Sequence, residues 1–136
     1  MRFLGIDFGT KRVGLAISDE NGQIAFPKKV VPNDSKLISS ILEVLESEKV
    51  SEIVVGESTN FNGVLNPVAK QIEEFILALQ TETNLPIQKQ KEFLTSVEAR
   101  RYKDETKSTS NSVDAAAAAL ILQRYLDRRS LQEGKN

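Results

Sequence analysis

The sequence predicts an α/β fold, a mixed five-stranded sheet with helices on both faces. Residues 1–31 read as three strands in hairpin order, and the rest of the chain alternates helical and strand patterns. Hairpins give antiparallel neighbours, whereas strands joined by crossover helices are parallel, so the two parts together predict a mixed sheet. The length of 136 residues suits one domain. We expect that domain over residues 1–130, followed by a disordered tail over residues 131–136.

The first part of the chain supplies three strands and a helix. The predicted strands cover residues 2–6, 12–18 and 23–31. Asn21-Gly22 marks a tight turn between the second and third strands, and Pro27 favours an edge position for the third. The polar run 33–35 can cap a helix over residues 35–48, because apolar residues then recur at helical spacing.

The remaining elements alternate between strand and helix. They are predicted as a strand at 51–57, a helix at 65–81, a strand at 85–90, a short helix at 95–101 and a last helix at about 112–129. Ser112 can cap the last helix, whose alanine run has high helix propensity and permits close packing on a sheet. In sheets of this kind, functional residues collect at the carboxyl ends of the parallel strands.

Composition excludes several kinds of site. The chain has no cysteine and no histidine, so thiolate, imidazole and Ser-His chemistry are excluded. Catalysis must use carboxylates, lysines, hydroxyls, the backbone or a metal with oxygen ligands, for which Mg²⁺ or Mn²⁺ is suited. No bilayer-spanning apolar run or signal peptide is evident, so we expect a cytoplasmic protein without a membrane partner. A net charge of −1 leaves a nucleic-acid partner open.

Four acids occupy corresponding places in the predicted topology. Asp7 ends the first strand, Glu57 ends the fourth, Glu92 follows the fifth, and Asp114 lies in the first turn of the last helix. Each one alone is often only a solvated or helix-start acid. Acids that converge repel one another unless a divalent cation neutralises them, and such a cation can activate water for attack on a phosphodiester. The set therefore predicts a metal site.

Basic and hydroxyl side chains accompany these acids. Thr10, Lys11 and Arg12 lie in the turn that follows Asp7, and Arg100 and Arg101 precede a polar, basic segment. Lys and Arg side chains make most contacts with nucleic-acid phosphates. We expect these five residues to bind substrate, although a solvated turn would have the same composition.

Taken together, these residues resemble the YqgF/RuvX family, Holliday-junction-resolvase-like proteins with an RNase H-like fold that are associated with pre-16S ribosomal RNA maturation. The most specific stretch is GIDFGTKRVGLAISD at 5–19, followed by IVVG at 53–56, NG at 62–63, LTSVEA at 94–99 and VDAAAAALILQRYLD at 113–127. The resemblance implies Mg²⁺- or Mn²⁺-dependent hydrolysis of phosphodiester bonds. It also implies that Asp7, Glu92 and Asp114 are the catalytic and metal-binding acids, with Asp7 bridging the metals.

The sequence departs from the family pattern in two places. Glu57-Ser58 stands where the family usually has Leu-Pro, and Lys91-Glu92-Phe93 stands where it usually has Asp-Glu-Arg. The first departure makes Glu57 a fourth candidate metal ligand. The second leaves open whether Lys91 pairs with Glu92 and weakens metal binding or contacts a phosphate.

The leading hypothesis is an endo- or exonuclease in the 5′ maturation of pre-16S ribosomal RNA. One alternative substrate is a four-way DNA junction, and a second reading is a nucleic-acid-binding relative without catalysis. A third is an actin-like or sugar-kinase ATPase, because IDFGT followed by a hairpin is similar to their phosphate loop. We expect a monomer or a weak homodimer.

Overall fold

The computed structural model describes residues 1–59, 69–93 and 110–133, with the backbone alone described at 57–59, 91–93, 110–113 and 133. The elements in chain order are β1 (Phe3–Phe8), β2 (Arg12–Ser18), β3 (Ala25–Pro32), α1 (Leu37–Ser47), β4 (Glu52–Thr59), α2 (Ala69–Glu82), β5 (Ile87–Phe93) and α3 (Ser110–Glu133). The predicted short helix at 95–101, with Arg100 and Arg101, lies outside the described residues. None of the described helices combines the length and apolar character needed to cross a membrane.

The five described strands form one mixed sheet in the order β3-β2-β1-β4-β5. β1 pairs antiparallel with β2, and β2 with β3, while β1–β4 and β4–β5 are parallel. The predicted mixed sheet is therefore confirmed. β3 lies at an edge, as Pro27 predicted, and the β2–β3 register shifts between Leu15 and Ala16, next to that proline.

The β2–β3 hairpin closes through the predicted turn. Gly22 has φ +66°, a backbone conformation that favours glycine. The Asp19 carboxylate accepts hydrogen bonds from the backbone N–H groups of Ile24 (3.0 Å) and Gln23 (2.8 Å). These bonds, that of Ile24 first, lower the pKa of Asp19 because they favour its charged form.

Two apolar cores, one on each face of the sheet, hold the helices in place. Side chains alternate between the faces along a strand, so Leu4 and Ile6 of β1 pack with α1 and α2, whereas Phe3 packs with α3. The core on the α3 face consists of Phe3, Ala16, Val54, Ala118, Ile121, Leu122 and Leu126. Helices on both faces are thereby confirmed.

Several predicted boundaries were wrong. β4 runs to Thr59 and β5 to Phe93, because their parallel pairing continues to the Thr59–Phe93 pair. α3 begins at Ser110, so Ser112 lies inside the helix, and it continues through residues 131–133, which we predicted as the start of a disordered tail. Leu131-Gln132-Glu133 are good helix formers, and they extend the helix beyond its last core contacts.

Candidate active site

Asp7 lies near the carboxyl end of β1, between two residues that have no side chain. It pairs with Gly14 of β2 on one side and with Gly56 of β4 on the other. The Asp7 side chain is half-buried. Paired residues point to the same face of a sheet, so the carboxylate shares the α3 face with the two glycines. This row leaves space beside the acid for a second polar group.

The beginning of α3 occupies part of that space. A Cβ atom added to Gly14 would lie 2.0 Å from the backbone oxygen of Asp114, and one added to Gly56 would lie 2.4 Å from Cδ1 of Ile121. The helix can approach the sheet this closely only because both positions are glycine. Since Gly14 is the strand partner of Asp7, the packing brings Asp114 next to Asp7.

Asp114 is held by Arg12. The Arg12 Nε–H group donates to Asp114 Oδ2 at 2.7 Å. The Asp114 side chain is only 9% exposed and that of Arg12 is 40% exposed. The guanidinium offsets the charge of an acid that burial would otherwise penalise. We predicted a phosphate contact for Arg12, and in the structure its Nε–H group donates a hydrogen bond to the Asp114 carboxylate.

The turn between β1 and β2 carries the other predicted substrate-binding residues, Thr10 and Lys11, which are both exposed. Asn33 fixes this turn. Its Nδ2 group donates to the Gly9 carbonyl at 2.8 Å, and its backbone N–H donates to the Lys11 carbonyl at 2.9 Å. The sequence suggested a helix cap at this position, and no local signal indicated a contact with a turn more than 20 residues away.

Glu57 and Glu92 do not lie at the strand ends where we predicted them. Glu57 pairs with Lys91, and Glu92 pairs with Ser58. Successive residues of a strand alternate between the two faces of the sheet. Position 57 directly follows Gly56, so it belongs to the opposite face from Asp7 and Gly56. Position 92 belongs to the same face of the sheet as Asp7 and Gly56. With strands about 4.8 Å apart and a rise of about 3.3 Å per residue, the Cα atoms of Asp7 and Glu92 are about 12 Å apart.

Gln90 of β5 is a buried polar residue near the candidate site that sequence reasoning did not single out. It pairs with Gly56 and so continues the row that contains Asp7. Gln90 is buried, with 8% of its surface exposed. Within the part of the chain that the structure describes, its Oε1 atom has no hydrogen-bond partner. β5 consists mainly of polar residues, so its sequence does not indicate that this glutamine is buried.

The donor chemistry at this end of the sheet fits a hard divalent cation. Asp7 lies on the α3 face and Asp114 on α3 itself, and Gln90 has a register position on the same face, beyond Gly56 and the Ile121 side chain that packs over it. Among the residues with described side chains, no group of three or more acids is close enough to hold a metal. Glu92 is the candidate for the third acid, because it lies two residues after Gln90 on β5 and so belongs to the same face of the sheet as Asp7.

Comparison with known proteins identifies the family. The family model for RuvX, described as Holliday junction resolvase, matches residues 1–128. The chain belongs to the RuvX family. A protein of Maridesulfovibrio salexigens that is named "Putative pre-16S rRNA nuclease" is 38% identical over 134 residues, which cover 94% of this chain and 99% of that protein.

Two solved structures share the fold of this RuvX-family chain. T. thermophilus RuvC in complex with a Holliday junction substrate superposes with a TM-score of 0.61, at 18% identity, over 96% of both chains. The fowlpox virus Holliday junction resolvase superposes with a TM-score of 0.56, at 14% identity, over 94% of this chain and 99% of its own. These likenesses confirm the predicted RNase H-like α/β fold.

Proposed function

We propose that this chain is a metal-dependent nuclease of the cytoplasm that hydrolyses phosphodiester bonds during 5′ maturation of pre-16S ribosomal RNA. The observation that carries the proposal is the packing of Asp114 over Gly14, the strand partner of Asp7. The backbone of Asp114, from a distant part of the sequence, packs against the strand neighbour of Asp7 near the carboxyl end of β1, beside an exposed turn with Thr10 and Lys11. The name given to the curated relatives supports the choice of substrate.

Asp7, Glu92 and Asp114 would hold the divalent cation, Mg²⁺ or Mn²⁺. When bound, such a cation supplies an activated water and stabilises the leaving oxygen of a phosphodiester. Asp7 lies on a strand of the sheet and Asp114 on α3, so the two acids are held by different elements. Arg12 holds the Asp114 carboxylate in one orientation through its 2.7 Å hydrogen bond. This preorganisation limits the rearrangement needed when substrate binds.

The register favours Glu92 over Glu57 as the third acid. Position 92 belongs to the face of the sheet that carries Asp7. Position 57 belongs to the opposite face, the face of Val55, which is buried in the core under α1 and α2. Glu57 therefore becomes the weaker candidate ligand. For substrate, Thr10 and Lys11 would contact a phosphate from the turn, and Arg100 and Arg101 remain proposed contacts on sequence grounds.

The test is cleavage of a 5′-extended ribosomal RNA fragment with Mg²⁺ or Mn²⁺, run beside a four-way DNA junction. We expect Asp7→Asn and Asp114→Asn to lose at least about 10³-fold in rate, because each removes a charge that would hold the cation. Asp127→Asn is the matched control. Asp127 is an exposed acid on the same helix, in contact with Gln123 rather than with the proposed site.

The outcomes separate the competing functions. Cation-dependent cleavage of RNA that is lost in both site variants and kept in Asp127→Asn supports the proposal. Cleavage of the junction alone would establish junction resolution, the activity given in the family description. Binding of either nucleic acid without cleavage would indicate a non-catalytic relative and would refute the nuclease proposal.

A further inference from the structure

Gln90 has an environment that folding alone does not explain. Its side chain is more than nine-tenths buried, and its Oε1 atom has no hydrogen-bond partner among the residues that the structure describes. Leaving a buried acceptor unpaired is unfavourable, and such groups are rare in folded proteins, where a bound water or ion is one of the partners that satisfies them. An apolar side chain of similar size would pack at this position without that cost.

The position of Gln90 indicates what its oxygen could serve. In the sheet Gln90 and Asp7 are the two strand neighbours of Gly56, and the Ile121 side chain of α3 packs over that glycine. On its own strand Gln90 precedes position 92 by two residues, and residues two apart in a strand lie on the same face of the sheet. Gln90 therefore lies on the same face of the sheet as Asp7 and on the strand that carries the third proposed acid.

We propose that Gln90 supplies a further oxygen to the divalent-cation site, an inference that rests on the proposed function above. An amide oxygen is a suitable partner for a hard cation or for the water bound to it. Because the amide is neutral, it adds an oxygen without adding to the repulsion between the acids. The unpaired acceptor then has its partner in the loaded protein and lacks it in the cation-free protein.

The experiment compares three variants of the full chain. Gln90→Met removes the oxygen at nearly constant volume, and Gln90→Glu keeps an oxygen at the same reach. Gln88→Met is the matched control, because Gln88 is the same residue type on the same strand but is exposed and pairs with Val54. Mn²⁺ binding is measured by isothermal titration calorimetry, and thermal unfolding is measured in EDTA.

We expect Gln90→Met to weaken Mn²⁺ binding about tenfold or more, in line with other residues that support metal ligands. In EDTA the same variant should unfold about 3 °C higher, because an unpaired buried acceptor has been removed. Gln90→Glu should bind Mn²⁺ at least as tightly as the wild type. Gln88→Met should match the wild type in both measurements.

The results distinguish this inference from the proposed function. If the wild type binds Mn²⁺ saturably and Gln90→Met binds it equally well, the role of Gln90 is refuted and the nuclease proposal stands. Weakened binding by Gln90→Met together with lower stability in EDTA would also refute it, because the amide would then be a structural residue. A wild type without saturable binding would overturn the metal site itself.

Discussion

Replacing Gly14 with alanine tests whether close packing of α3 on the sheet positions Asp114. The new Cβ atom would start 2.0 Å from the backbone oxygen of Asp114, and side-chain Cβ atoms essentially never come closer than 3.0 Å to such an atom. Because the obstructing atom belongs to the backbone, no rotamer change relieves the contact. The start of the helix must move away from the sheet by about 1 Å.

The expected cost follows from two opposing effects. Overpacking of a well-packed interior costs about 1–3 kcal/mol, and a backbone obstruction belongs at the upper end of that range. Alanine in a strand is more favourable than glycine by about 0.5–1 kcal/mol, because less chain entropy is lost. We therefore expect Gly14→Ala to lower the free energy of unfolding by about 2 kcal/mol. A displacement of about 1 Å at a catalytic group costs about 100-fold in rate, so cleavage should fall by that factor.

Gly56→Ala is the matched comparison. Its Cβ atom would start 2.4 Å from Cδ1 of Ile121, with Cγ1 and Cγ2 at 3.1 and 3.2 Å, so the obstruction is a side chain that can shift and not the backbone. We expect a stability loss of about 1 kcal/mol or less and no displacement of Asp114. Urea unfolding gives both stabilities, and RNA cleavage with Mg²⁺ gives both rates. If the two variants are equally stable and equally active, the packing of α3 over Gly14 does not position Asp114.

Three further predictions concern single contacts. Arg12→Ala should lower the free energy of unfolding by about 1–2 kcal/mol, because Asp114 stays buried without its cation, while Arg12→Lys loses less; urea unfolding measures both. Burial, with the hydrogen bond and charge of Glu52, raises the pKa of Tyr125 to about 12. Its stabilisation is therefore complete below about pH 10 and lost as the pH rises toward about 12, and Tyr125→Phe should flatten this part of the pH–stability curve. Asn33→Ala should cost about 1 kcal/mol in thermal unfolding, through loss of its 2.8 Å bond to the β1–β2 turn.

Much of the fold could be predicted because its signals are local. The hairpin turn at Asn21-Gly22, the edge proline at position 27 and the periodicity of α1 and α2 each depend on a short stretch of sequence. Strand ends were less predictable, since a strand continues as long as its neighbour pairs with it. Polar residues after Gly56 and after Gln90 suggested strand ends, but the β4–β5 pairing carries both strands beyond them.

The candidate site could be predicted only in part. Asp7 and Asp114 were found because each lies at a distinctive point, one near the end of a strand and the other near the start of a helix. Their proximity depends on packing between residues about 100 positions apart, and so does the contact between Arg12 and Asp114. The burial of Gln90 could not be predicted either, because it depends on where β5 lies in the folded sheet and not on the neighbouring sequence.

The arrangement around Asp7 explains why a nuclease of this kind would need glycines as well as acids. A side chain at Gly14 would collide with the backbone of Asp114 at the start of α3, and one at Gly56 would collide with the Ile121 side chain that packs over it. With glycine at both positions, the acid is flanked by backbone, and the oxygens near it come from other elements. The geometry of the site is therefore set by the packing of α3 and the register of β5. Substitution of Gly14 should therefore change cation binding even though this residue has no oxygen-bearing side chain to offer.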